Sequence, residues 1–205
     1  MDAVEAREPE WAASDRRLRR RVLRRCLVGF LAVGLLPVLL GSWIYVKAAV
    51  AEVLLHAAWE RTALGGDAVR PWPWADMHPV ARLRVPSLGV DEIVLSGTSG
   101  QCLAFGPGHM ERTGLPGGEG NCVIAGHRDT SFRFLARLRP GDVIRLTDPA
   151  GRESAYEVEA ARVAEEKETG ILAPERRRTL TLITCYPFDA LLPGPERYVV
   201  TARRS

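Results

Sequence analysis

The chain has 205 residues, enough for one domain of ordinary size plus an extra segment. Hydrophobic residues make up 46% and charged residues 26%, which excludes a largely disordered chain. The net charge of +3 is too mild to imply a nucleic-acid partner.

The charge is unevenly placed. Residues 16–25 read RRLRRRVLRR, seven arginines in ten. A nucleic-acid arm is one reading of such a run, but the adjoining apolar segment decides against it. Residues 26–46, CLVGFLAVGLLPVLLGSWIYV, are 21 residues without a charge, the length that crosses a ~30 Å hydrocarbon core as a helix. Pro37 is tolerable within a membrane helix, and Trp43 and Tyr45 suit the interfacial aromatic belt. Arginines before the span and few cations after it put the N-terminus in the cytoplasm. The expectation is a single-pass anchor in the inner (cytoplasmic) membrane, with the rest of the chain extracytoplasmic. A cleaved signal peptide is the rival reading; the long apolar run and the lack of a clean small-x-small site directly after it favour the anchor.

Residues 1–25 are then a basic cytoplasmic tail and 26–46 the transmembrane helix. Residues 47–64 predict a helical stalk, with Val50, Val53, Leu54 and Ala57 along one face, stopped by LGGD at 64–67. RPWPWADMHP at 70–79 is a stiff, proline-held connector whose two tryptophans are expected to pack on the domain. From residue 80 to 205 the pattern changes to short strands with turn signals. They read VARLRVPSLG, VDEIVLSG, CLAFGPGH, NCVIAGH, GDVIRLTD, ESAYEVEAARVAE, TLTLITCY and RYVVTARR. SFRFLARL at 131–138 suits a short helix. About eight strands with little helix argue for an all-β closed barrel or a sandwich.

Three of the four cysteines lie beyond the anchor. Cys102 and Cys122 fall in apolar strand-like segments, where buried structural thiols are the plain expectation. A Cys102–Cys122 bridge is disfavoured. If CLAFGPGHM and GNCVIAGHR are antiparallel neighbours, each cysteine lies near the other strand's far end. Cys185 differs: it ends a strand, and Tyr186 and Pro187 then lead the chain out of the sheet. A strand-end residue can present its side chain at a cleft formed by loops. One more core cysteine is the competing reading.

A cysteine nucleophile needs a proton partner and an oxyanion donor. His56 lies on the stalk and His78 in the connector. His109 and His127 each follow a glycine at the end of a strand-like segment, FGPGH and VIAGH, where glycine permits close approach or a sharp turn. Arg197 opens the last strand. If that strand pairs antiparallel with the one holding Cys185, the two residues share one end of the sheet. A guanidinium there can donate to an oxyanion or a substrate carbonyl. No metal-ligand spacing appears, no cofactor is expected, and a zinc site from Cys122, His127 and Cys185 is disfavoured.

AGHRDTSF at 125–132, TLITCYPF at 181–188 and the following Arg197 resemble the sortases, cysteine transpeptidases of bacterial cell surfaces. PWPWADMHPVARLRVP, LAFGPGH and GHRDTSF look most like the class GN sortases of proteobacteria; Cys122 is an unusual extra thiol. The resemblance spans residues 70–205. It implies an eight-stranded sortase-type β-barrel with short helices, preceded by the N-terminal transmembrane helix. It also implies His127 as acid/base, Cys185 as nucleophile and Arg197 as transition-state and substrate-binding residue. Thr184, His109, Tyr186 and Asp129 are expected around these three, Thr184 at the oxyanion site or in orientation and His109 at the rim.

The implied reaction cleaves an LPxTG-like C-terminal sorting signal of an exported protein through a thioacyl-enzyme and passes it to an amine acceptor. Expected partners are that exported protein and the membrane, with no nucleic acid. Two alternatives remain open on sequence: a hydrolase that clips without joining, and a non-catalytic membrane-anchored binding barrel.

Overall fold

The computed structural model describes residues 10–65, 68–173, 177–190, 192 and 194–205. The chain divides into two compact units, residues 1–49 and 50–205. One helix, α1 (Glu10–Gly65), runs through both, with Pro37 inside it. Its apolar part holds an 18-residue window of mean hydropathy 2.2, none of it buried, which makes it a candidate membrane span. The segments read as anchor and helical stalk both fall within α1. Gly66 and Asp67 of the expected stop signal lie outside the described residues.

In the second unit, strands β1 (Pro79–Val85), β2 (Val90–Ser96), β3 (Gly108–His109), β4 (Asn121–Ala125), β5 (Val143–Thr147), β6 (Glu153–Glu165), β7 (Thr179–Tyr186) and β8 (Glu196–Arg204) close a barrel. The order is β1-β2-β3-β4-β7-β8-β6-β5, with β5 meeting β1 again. This is the eight-stranded barrel expected, and the sandwich alternative falls. Closure leaves no open edge. Two neighbouring pairs are parallel, β2–β3 and β4–β7. The β4–β7 pair needs a long crossover, and the chain supplies it with β5 and β6.

Period-two alternation builds the interior. On β1, Ala81, Leu83 and Val85 are fully buried while Arg82 and Arg84 face outward. They join Ile124, Phe132, Leu135, Ile144, Leu146, Tyr156, Leu180, Leu182 and Val200 in one cluster. Truncating one such leucine costs about 2–5 kcal/mol.

A second, smaller cluster forms where the C-terminal turns of α1 meet β2: Leu55, Trp59, Ala75, Met77, Ile93, Leu95 and Cys102. Three expectations are corrected in this region. The buried stripe of α1 is Ala51, Leu55, Ala58, Trp59 and Thr62, one residue out of phase with the expected Val50, Val53, Leu54 and Ala57 face, of which the first three are exposed and Ala57 is half-buried. Apolar residues lie on more than one face of the segment, so periodicity alone leaves its phase open, and packing of Leu55 and Trp59 against the connector and β2 fixes it. Of the two connector tryptophans, Trp72 stacks edge-on against Phe105 at 4.9 Å, whereas Trp74 is 79% exposed. The residues from Cys102 to His109 are not one strand. Gly100–Leu103 forms a helical turn, α2, because the Ser99 side chain caps it by accepting from Cys102 N at 3.1 Å. Only Gly108 and His109 remain as β3. Gly108 cannot carry a side chain, since a Cβ there would lie 2.1 Å from the Gly97 carbonyl oxygen.

Candidate active site

The barrel brings β4, β7 and β8 side by side, and the candidate site lies where this ribbon runs out. Ala125 faces Ile183 in the parallel β4–β7 ladder. The pairing continues one step further, with Gly126 N donating to Ile183 O at 3.1 Å. His127 therefore leaves β4 alongside Cys185, each two residues beyond a paired position. On the other side, Cys185 is the direct ladder partner of Arg197. Cys185 and Arg197 are thus cross-strand partners on β7 and β8, and His127 stands two residues past the end of β4, the other neighbour of β7.

Local packing fixes the turn that carries His127. Gly126 lies under the Phe132 ring, and a Cβ there would come within 2.7 Å of Phe132 Cγ. Phe132 N donates to His127 O at 2.9 Å, which closes the turn. Thr184, buried on the opposite face of β7 from Cys185, donates its hydroxyl to Gly126 O at 2.7 Å. The threonine before the cysteine thus pins the strand of the cysteine to the exit of the histidine strand.

The thiols separate by environment. Burial pushes the Cys122 thiol up to about 12. It pushes Cys102 up to about 11, with Asp76 adding to the effect, and Cys102 Sγ donates to Gly97 O at 3.1 Å. Both are free and belong to different apolar clusters. Cys185 is half-buried. A thiol must ionise to act as nucleophile, so the two buried ones are chemically quiet. His127 is exposed. Arg197 is 21% exposed; its Nη2 pairs with Glu166 Oε1 at 2.6 Å and its Nη1 donates to Gly194 O at 2.9 Å and Glu196 O at 3.0 Å.

The other expected residues make different contacts. His109 is buried in the barrel wall, with Nε2 2.8 Å from Gly114 O and 3.3 Å from Thr113 Oγ1. Tyr186 joins Phe188 and Tyr198 in an aromatic trio at centroid distances of 5.1 to 6.2 Å. Asp129 is exposed and accepts from Arg128 Nε at 3.3 Å. His78 sits 3.1 Å from Ser96 Oγ; burial, then the Arg70 charge, lowers its pKa. Among the described residues, no three His, Cys, Asp or Glu side chains gather as a metal set.

Two side chains that sequence reasoning passed over secure the surrounding loops. Asn121 is buried; its Nδ2 donates to Ile171 O at 2.9 Å and its Oδ1 accepts from Thr181 Oγ1 at 2.7 Å. This ties the β6–β7 connection across the outer face of β4 and β7. Arg128 is buried beside His127 and donates to main-chain carbonyls of the β7–β8 loop. Neither carries a sequence signal, because an arginine or asparagine next to a turn ordinarily reads as solvated. In that loop Pro187 follows a cis bond to Tyr186; Pro193 lies outside the described residues.

Comparison with known proteins agrees on one family. A Sortase domain model matches residues 83–205. Sortase D from Bacillus subtilis (strain 168) is 32% identical over 123 residues, 60% of this chain. The chain spans 62% of the length of that relative. Among solved structures, a Clostridium perfringens Sortase D5 transpeptidase is 26% identical, covering 71% of this chain and 86% of its own, with a TM-score of 0.58. Sortase A from Corynebacterium diphtheriae is 26% identical, covering 77% and 85%, also at 0.58. Sortase C1 from Streptococcus suis is 28% identical, covering 62% and 73%, at 0.56.

Proposed function

The chain belongs to the sortase family, and on that premise we propose that it is a membrane-anchored cysteine transpeptidase of the class GN type. Its substrate is an exported protein bearing an LPxTG-like C-terminal sorting signal. Cys185 is the nucleophile, His127 the general acid and base, and Arg197 the donor to the oxyanion and to the substrate carbonyl. The observation that supports this most is the Cys185–Arg197 ladder pair beside the end of β4, two residues before His127. The class GN assignment rests on the resemblance of residues 70–132, and the anchoring on the apolar part of α1.

The Cys185 thiolate attacks the threonine carbonyl of the signal, and the carbon–sulfur bond forms as negative charge builds on oxygen. Arg197 meets that charge with guanidinium hydrogens, an interaction strongest where charge develops. The guanidinium is ion-paired with Glu166. The tetrahedral intermediate collapses, the peptide carbon–nitrogen bond breaks, and imidazolium His127 gives the leaving amine its proton. An acceptor amine then passes its proton to neutral His127 and attacks the thioester, releasing the thiolate. Anchoring both proteins in one membrane raises the effective concentration of the signal. Residues 1–25 are the cytoplasmic tail, 26–46 the crossing, 47–79 the stalk and connector, and 80–205 the catalytic barrel outside.

The test is product mass. The full-length protein in detergent is incubated with an LPxTG-type peptide and an oligoglycine amine. Cleavage after the threonine with mass added by the amine is expected, and Cys185→Ala should lower the rate by at least ~10³-fold. A product ending in free threonine at every amine concentration means hydrolysis alone. Equal turnover by Cys185→Ala overturns the proposal.

A further inference from the structure

Arg128 follows His127 directly in sequence, yet its side chain is only 7% exposed. A guanidinium removed from water persists only where fixed acceptors meet its hydrogens. Four bonds do so here. Nε donates to Asp129 Oδ1 at 3.3 Å, Nη1 to Pro187 O at 3.0 Å, and Nη2 to Ala190 O and to Leu192 O, the last at 3.2 Å. Three of the four acceptors are main-chain carbonyls of one loop, the connection from β7 to β8. That loop, residues 187–195, begins two residues past Cys185 and ends two residues before Arg197. Within it, the main-chain bond from Ala190 N to Pro187 O is long, at 3.4 Å. Near its end, Glu166 N donates to Pro195 O at 2.8 Å and Arg197 Nη1 to Gly194 O at 2.9 Å, so among the described residues Arg128 is the side chain that holds its first half.

Resting on the sortase reading, we infer that Arg128 is a positioning residue that holds the β7–β8 loop as a rigid wall of the peptide groove. It is rooted in the same turn that delivers His127 and reaches the segment that follows Cys185. One side chain therefore sets the spacing between the base and the wall beyond the nucleophile. The planar fork of arginine places donors on two nitrogens at fixed angles and meets three separated carbonyls together; the single ammonium of lysine cannot hold the same set in that geometry. Peptide recognition depends on this wall, whereas the chemistry of the Cys185 thiol does not.

The experiment compares full-length wild type, Arg128→Lys and Arg128→Gln in detergent. Concentrations are normalised to folded protein, and the substrate is a fluorogenic LPxTG-type peptide. In Arg128→Gln, KM should rise by ~10-fold or more while kcat stays within ~3-fold, with Arg128→Lys in between. Amide hydrogen exchange over residues 188–192 should quicken by ~10-fold or more. Alkylation of Cys185 by iodoacetamide should stay within ~2-fold of wild type. Unchanged exchange at 188–192 in both variants overturns the inference, as does an unchanged KM per folded molecule. If wild type does not cleave the peptide, the sortase reading has failed instead, and the exchange comparison still decides whether Arg128 holds the loop. Arg128→Lys retains the buried charge, so it reports on geometry even if Arg128→Gln does not fold.

Discussion

Cys122 and Cys185 stand on adjacent parallel strands, close to opposite ends of the β4–β7 pair, and have opposite environments. At the end holding Asn121, Cys122, Thr179 and Leu180, both faces of the ribbon are covered, and β7 is buried on four consecutive residues, Thr179–Leu182. Apolar packing closes the inner face there. On the outer face, the Thr181–Asn121–Ile171 relay closes the strand under the β6–β7 connection. At the other end, from Ala125 and Ile183 onward, the inner face stays sealed by Thr184, while the outer face opens around Cys185. Burial holds the Cys122 thiol protonated, whereas the Cys185 side chain reaches solvent. On this ribbon Cys122 packs into the barrel core, while Cys185 lies half-buried on the other face, with polar side chains holding the loops around it in place.

The sharpest way to break this contrast is to measure the thiols directly. With its thiol pushed up to about 12, Cys122 at pH 8 is thiolate in only ~1 molecule in 10⁴. In the native protein, iodoacetamide should modify Cys185 at least ~10³-fold faster than Cys122, with loss of activity tracking Cys185 alone in peptide mass maps. Comparable labelling of Cys122 in folded protein would remove the distinction.

Mutations at the two ends should separate stability from activity. Leu180→Ala, in the sealed end, should lower unfolding free energy by about 2–5 kcal/mol and leave kcat per folded molecule within ~3-fold. Thr184→Val removes the 2.7 Å bond to Gly126 O and should cost less, about 1–3 kcal/mol. It should nevertheless lower kcat by ~10-fold, because the turn bearing His127 loses its tie to the cysteine strand. Urea titration and steady-state kinetics on the same samples check both.

The smallest effect expected lies away from this ribbon, on β2. Burial first, and then the Asp91 and Glu52 charges, push Glu92 up from 4.5 to about 7. The folded carboxyl therefore binds its proton more tightly than the unfolded one. Its favourable contribution is complete below about pH 4.5 and is lost as the pH rises through about 7. Glu92→Gln should raise Tm by ~2–4 °C at pH 8 and leave it nearly unchanged at pH 4.5, with kcat unaffected at either pH. Equal shifts at both pH values would mean that Glu92 is not held protonated by its surroundings.

Much of the barrel was legible in the sequence because strand alternation is a local signal. Ala81, Leu83 and Val85 on β1, and Leu180 and Leu182 on β7, face inward as their spacing requires. The apolar span from Cys26 was equally plain, since its length and lack of charge need no partner to be recognised. His127, Cys185 and Arg197 could be nominated from residue type and position at strand-like ends.

Other features depended on segments distant in sequence. The phase of the helix face around Leu55 and Trp59 was set by β2 and the connector, because Ala51 and Val50 are equally apolar and only a facing surface distinguishes them. The helical turn at Cys102 won over a strand through the Ser99 cap and the close approach of Gly97 to Gly108. The burial of Arg128 and Asn121 was invisible for the same reason: the loop carbonyls that accept from them lie 50 to 64 residues further along the chain, from Ile171 to Leu192. Sequence by itself determined which residues can pack and which can react, since those are properties of side chains and their local period. Only the tertiary structure decided which strand ends lie side by side and what holds the loops beside them, because hydrogen bonds and burial are made between segments that sequence spacing does not relate.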